Sequence, residues 1–210
     1  MNPKILIACE ESQRVCKAFR KKGFNAYSCD ILDCSSNKPE WHIKDDAVKE
    51  AYKGDYHLII AHPPCTYLTV AGNRWMKPEY RDRFPNRPQQ RKEAIEFFLK
   101  LYNAPAPHVA IENPSGIMST EFRKPDQYVH PYHFGEPHSK RTGFWLKNLP
   151  KLKPTKIVEP EWYIYKNGKR DPMWHRKTLD LPKEERTRVR SMTYKGIAKA
   201  MAEQWGAFIL

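Results

Sequence analysis

Two prolines lead directly from an apolar run into a cysteine, and this cysteine is the residue in the sequence best placed to do chemistry. In Leu58-Ile59-Ile60-Ala61-His62-Pro63-Pro64-Cys65 the prolines fix φ and remove two backbone donors. The chain beyond Ala61 must then become a stiff extended loop, with Cys65 as its first free side chain. A thiol held there is either a nucleophile or an inert small apolar residue. A second candidate is Glu112-Asn113-Pro114-Ser115-Gly116, at the end of the apolar run Val109-Ala110-Ile111. Partly desolvated, a carboxyl in that place holds a proton at an elevated pKa; otherwise it caps a helix or bonds a loop. Over one crevice, Cys65 and Glu112 would pair a nucleophile with an acid.

Acids form a second group. Asp30 ends an apolar segment, where a carboxylate can accept ribose hydroxyls, and Asp46 ends another, where it can bond an adenine amino group. The loop Ala8-Cys9-Glu10-Glu11-Ser12 has no glycine, so it lacks the close backbone approach of a pyrophosphate-binding loop. Its acids suit a cofactor with a positive or neutral end, such as the sulfonium and α-amino group of S-adenosylmethionine. Equally, Glu10 and Glu11 can complement the dipole of a following helix.

Elements of an α/β domain are needed to position these groups. Lys4–Cys9 reads as a strand, Val15–Lys22 as a helix stopping at Gly23, and Phe24–Cys29 as a strand running into Asp30. Trp41–Asp46 predicts a short third strand, Ala47–Tyr52 a helix, and Leu58–Ala61 a buried parallel strand. Residues 66 to 88 form a long loop in which Arg74, Arg81, Arg83 and Arg87 interleave with aromatic residues, suiting phosphate and base contacts. An amphipathic helix is predicted over Gln89–Tyr102, with Ala94, Phe97, Phe98 and Leu101 on one face. Pro107–Ile111 and Ser139–Leu146 read as strands, and Ile197–Ile209 as a helix with Ile197, Met201, Trp205 and Phe208 in register. His130, His133, Glu136 and His138 fit no common metal-ligand spacing, so no metal is expected.

Length and charge bound the rest. A chain of 210 residues suits one α/β domain with a small appendage. A net charge of +13 points to a polyanionic partner. Between Lys140 and Arg190 there are fifteen lysine or arginine residues against six acids, interleaved with Tyr163, Tyr165, Trp174 and His175. This stretch reads as a small irregular, polyanion-facing subdomain. Five scattered cysteines without paired spacing indicate neither a disulfide framework nor a zinc site. With no signal-peptide pattern and no long apolar stretch, a cytoplasmic protein without a membrane anchor is expected, host-cytoplasmic if phage-encoded.

Together these segments make a sequence that resembles the cytosine-5 DNA methyltransferases, more closely their compact phage-type members, over most of its length. Pro63-Pro64-Cys65 with Ala71-Gly72 is similar to the catalytic loop, Glu112-Asn113-Pro114 to the Glu-Asn-Val element, and Ser139-Lys140-Arg141 to the Gln-x-Arg-x-Arg strand. The family pattern is absent at the glycine-free first loop and at Gly143, where a second arginine would stand.

The resemblance implies a Rossmann-like methyltransferase fold: an α/β domain with a mostly parallel central sheet flanked by helices, formed by residues 1–150 and 191–210, with a small basic DNA-contacting insert at 151–190. It implies catalytic roles for Cys65, Glu112 and Arg141, and S-adenosylmethionine bound by Glu10, Ser12, Asp30, Ile31, Asp46 and Pro63. DNA contacts are expected from Arg74, Asn113 and Lys140, and from Lys166, Lys169, Arg170, Arg176 and Lys177 in the insert. The implied reaction is methylation of carbon 5 of a flipped cytosine through a covalent cysteine adduct. Its alternatives are a non-catalytic DNA-binding relative and a pyrimidine-modifying enzyme with a different donor. An exocyclic-amino methyltransferase would need no cysteine, and the thymidylate-synthase type has a different fold.

Overall fold

The computed structural model describes residues 2–210, and its centre is a seven-stranded sheet. The strands are β1 (Lys4–Ala8), β2 (Asn25–Asp30), β3 (His42–Lys44), β4 (Leu58–Ala61), β5 (His108–Pro114), β6 (Gln127–Val129) and β7 (Thr142–Lys147). They lie in the order β3-β2-β1-β4-β5-β7-β6. The first five pair in parallel, and β7 runs antiparallel to both β5 and β6. The order reverses between β1 and β4, which is where an open α/β sheet offers a crevice for ligands.

Alternate side chains build two apolar layers, since successive residues of a strand face opposite sides. On one face Ile5, Ile7, Leu58, Ile60 and Phe144 pack on α1 (Arg14–Lys21), on the helix starting as α7 (Lys195–Ala200) and on Trp205. On the other, Leu6, Ile59, Val109, Ile111 and Trp145 pack on α2 (Ala47–Ala51) and on Phe98 and Leu101 of α3 (Arg87–Tyr102). All four residues of β4 are buried, because both faces are covered.

Two elements differ from the sequence reading in ways that matter. Pairing with β7 carries β5 on through Glu112, Asn113 and Pro114, so the acid lies within a strand and not on a loop beyond it. The C-terminal helix keeps Ile197, Met201 and Trp205 buried but leaves Phe208 53% exposed. A π-helical turn over Met201–Trp205 adds a residue to the repeat and rotates the last helical residues off the packed face.

Between β7 and α7 the insert contains a hairpin, β8 (Trp162–Ile164) with β9 (Arg170–Pro172), then α5 (Met173–Lys177) and α6 (Lys183–Ser191). A short helix, α4 (Met118–Glu121), comes after β5. Among the described residues no helix is long and apolar enough to cross a membrane.

Candidate active site

The loop bearing Cys65 and the end of β5 are joined at several points. Asn113 Nδ2 donates to the Pro63 carbonyl at 2.8 Å. Farther along, Val70 N–H donates to Ser115 O and Ile117 N–H to Leu68 O, with a bridge between Thr69 and Gly116. Gly116 is required there, because a Cβ would stand 1.9 Å from the Leu68 oxygen. From the other side, Arg91 of α3 donates to Tyr67 O at 3.1 Å and to Asn73 Oδ1 at 2.9 Å. Trp75 packs edge-on against Tyr80 and Phe84, giving the loop a small apolar centre of its own. Asn113 is only 2% exposed, so the DNA contact expected of it is replaced by a structural role holding Pro63. Pro63 is likewise buried, its carbonyl engaged by Asn113.

Sheet register then fixes the acid's neighbour. Ala61 pairs with Ile111, so the next residues, His62 and Glu112, stand side by side. His62 Nδ1 lies 2.9 Å from Glu112 Oε2, with the two side chains 8% and 17% exposed. Burial alone would depress the His62 pKa and raise that of Glu112. Their hydrogen bond and mutual attraction outweigh it, so His62 titrates above its ordinary value and Glu112 below. The hydrogen bond thus favours the charged form of each partner. Cys65 reaches solvent, yet the protein packed behind it raises the thiol pKa; Glu112 adds to the effect and Lys140 opposes it.

Lys140, not Arg141, is the cation that serves this cluster. Glu112 pairs across the sheet with Phe144, and alternation along β7 brings Thr142 and the preceding Lys140 to the same face. Glu112, Lys140, Thr142 and Phe144 line one cavity of about 10 Å³, room for a single water, closed by Thr193, Tyr194 and Ile197. Arg141 is exposed and faces away, its guanidinium 3.6 Å from the Tyr128 ring centroid. The catalytic role expected of Arg141 is therefore corrected to a position outside the cluster. Lys140 Nζ donates to Arg190 O at 2.7 Å, which ties the site to the end of the insert.

The acids gather in the crevice beside β1 and β2. Asp30 is half-buried at the end of β2, accepts from Leu32 N–H at 3.0 Å, and has its pKa raised by burial. Ile31 and Leu32 beside it are 71% and 59% exposed, an apolar platform next to the carboxylate. Asp46 caps α2 by accepting from Lys49 N–H at 2.8 Å, which leaves its second oxygen unengaged by that bond. Cys9 lies near Asp30 and Asp46; burial foremost, then these charges, pushes up its thiol pKa.

Of the two readings of Glu10, the structure selects the helix. Its carboxylate is buried and accepts from the amides of Val15 at 2.7 Å and Cys16 at 3.1 Å, so its expected contact with a cofactor ammonium is corrected. Glu11 and Ser12 remain partly exposed at the crevice. Without glycine, the loop still takes left-handed conformations at Cys9 (φ 59°) and Gln13 (φ 56°), a strain few non-glycine residues carry.

In the insert, Lys166, Lys169, Arg170 and Lys177 are exposed and Arg176 lies 5.5 Å from the Tyr163 ring. Trp162, Tyr163, Ile164 and Tyr165 are exposed among them. Arg74 is exposed on the Cys65 loop, over Trp75 at 4.1 Å. The histidine cluster is structural in part: Glu136 accepts from the amides of Lys195 and Gly196, capping α7. Sequence reasoning missed His62, Lys140 as the facing cation and Asn113 as the loop holder. All three depend on which strands become neighbours.

No protein-family model and no curated protein sequence matches the chain. Solved structures similar to it include one described provisionally as a DNA modification methyltransferase encoded within an E. coli prophage. The match has 14% identity and a TM-score of 0.48, covering 90% of this chain and 69% of that one. Another is S. pombe Dnmt2 methyltransferase, with 15% identity, a TM-score of 0.47 and coverage of 87% and 61%. A third is a substituted form of Spodoptera frugiperda DNMT2, with 15% identity, a TM-score of 0.44 and coverage of 77% and 58%. The chain thus spans about three fifths of the two Dnmt2 proteins. Its own strand order, with five parallel strands and then an antiparallel β7 between β5 and β6, is the expected Rossmann-like methyltransferase fold.

Proposed function

We propose that the chain is a DNA cytosine-5 methyltransferase in which Cys65 is the nucleophile and Glu112 the acid. The observation that carries the reading is a solvent-reached thiol that feels the charges of Glu112 and Lys140, with Glu112 hydrogen-bonded to His62, at the ends of β4, β5 and the approach to β7. Cysteine addition to carbon 6 needs the ring's electron pair to be received at nitrogen 3, and a buried acid beside the thiol does that. Burial foremost raises the Cys65 pKa and the Glu112 charge adds to it, so a neutral Glu112 lifts part of that rise.

The crevice residues fit the adenosyl half of S-adenosylmethionine. Asp30 can accept ribose hydroxyls, Ile31 can lie against the purine, and the second Asp46 oxygen can take the amino group. Bound there, the cofactor would supply an electrophilic methyl group. Because Glu10 already uses the Val15 and Cys16 amides, the methionine carboxylate finds no partner in them, while the partly exposed Glu11 favours the ammonium. The same observation favours the second reading, a DNA-binding relative that has no methyl donor.

Lys166, Lys169 and Arg170 are placed in this reading against phosphates, with Lys177, Arg176 and Arg74 as further contacts. Bisulfite sequencing of plasmid from cells expressing the protein tests the proposal. Protected cytosines in a defined context are expected; uniform conversion, with the protein present and folded, would reject it.

A further inference from the structure

We infer that His62 is the positioning and proton-supplying partner of Glu112, so that the proton delivered to the base is held by the pair and not by the carboxyl alone. The inference deepens the cytosine-5 reading and rests on it. His62 is fixed from three directions: its N–H donates to Ala8 O at 3.0 Å, its position is set by Ala61 in register with Ile111, and Pro63 stiffens the chain beyond it. Its Nδ1 meets Glu112 Oε2 at 2.9 Å, whereas its buried Nε2 has no hydrogen-bond partner. Most buried polar atoms are paired, so this nitrogen calls for an explanation.

The charged groups facing it are Glu112 on β5, Glu10 in the loop after β1 and Lys140 before β7. Burial disfavours the charged ring, but the Glu112 hydrogen bond and the two carboxylates outweigh burial and the one lysine, so its pKa is raised. Because the ring holds the Glu112 pKa down, the proton that Glu112 passes on is drawn from the charged ring.

Atoms and electrons balance across the cycle. The Cys65 proton leaves to solvent and the sulfur bonds to carbon 6. The carbon 5–carbon 6 π pair moves toward carbon 4, the carbon 4–nitrogen 3 π pair becomes the nitrogen lone pair, and that nitrogen takes a proton from Glu112, which receives it from His62 Nδ1. The carbon 4–carbon 5 π pair takes the methyl group as the donor's sulfur leaves with the methyl–sulfur pair to give S-adenosylhomocysteine, and the nitrogen 3 proton returns to Glu112 and then to His62 as the carbon 4–nitrogen 3 double bond re-forms. Solvent takes the carbon 5 proton, its bonding pair re-forms the carbon 5–carbon 6 double bond, and the sulfur leaves as thiolate and regains a proton from solvent. The pair lends one proton and recovers it.

His62→Asn keeps a donor near the Nδ1 position but holds no transferable proton, and His62→Gln is a second variant in case the first folds poorly. Single-turnover methyl transfer against pH, with S-adenosylmethionine and DNA affinities measured alongside, separates the roles. The expected result is unchanged affinities, a rate lower by roughly tenfold or more at neutral pH, and an alkaline limb displaced to lower pH. A rate lowered by one factor at every pH, or not lowered, would overturn the inference and leave the cytosine-5 reading standing. Histidine NMR titration gives a readout without turnover: the His62 ring should titrate above free histidine, and fall in Glu112→Gln. Should wild-type protein show that titration but no methyl transfer to any DNA, the reading falls and the proton supply with it, while the pair itself stands.

Discussion

A proton shared between His62 and Glu112 makes the stability of the fold depend on pH in a defined window. His62 is raised above 6.5, so its contribution is complete below that value and is lost as pH rises through the folded pKa. Glu112 is lowered below 4.5, so its contribution is complete above that value and is lost as pH falls through the folded pKa. The two overlap fully between pH 4.5 and 6.5. The melting temperature of wild type minus that of His62→Asn is expected to be largest there and to shrink on either side; a difference independent of pH would contradict the charged pair. For the crevice, Asp30→Ala is expected to abolish the heat of S-adenosylmethionine binding in calorimetry, and unchanged heat would move the cofactor elsewhere. The end of β4 ahead of Cys65 was legible because the apolar run Leu58–Ala61 meets two prolines. His62 and Lys140 were not, since their roles come from a register between distant segments.

At the scale of elements, the site depends on two loops being held together rather than on either alone. Gly116→Ala would place a methyl 1.9 Å from a backbone oxygen, so the loops must part. The expected cost is about 1–3 kcal/mol, the range for forced overpacking, with a larger loss of activity than of stability. Asn113→Ala should behave similarly by freeing Pro63, and chemical denaturation with activity assays on the same samples checks both. A Gly116→Ala protein as stable and as active as wild type would mean the loops are not coupled. Most elements were legible from apolar periodicity and from stops such as Gly23, whose φ of 86° suits a helix end. The extension of β5 was not, because only its antiparallel partner β7 makes residues 112–114 a strand. Nor was the π turn, which leaves no composition signal.

For the whole molecule, the net charge of +13 and the exposed basic hairpin predict binding to DNA that weakens steeply with salt. Replacing Lys166, Lys169 and Arg170 together with alanine should reduce the slope of log affinity against log salt by about 2–3, alike for all sequences, if each meets a phosphate. An unchanged slope would place the DNA path elsewhere. The central claim, a covalent bond from Cys65 to the target ring, is tested most directly with DNA containing 5-fluorocytosine and S-adenosylmethionine, because fluorine at carbon 5 blocks release of the enzyme. The account predicts a denaturation-resistant adduct whose modified peptide contains Cys65, absent from Cys65→Ser. An adduct at Cys9 or another cysteine, or methyl transfer persisting in Cys65→Ser, would contradict it.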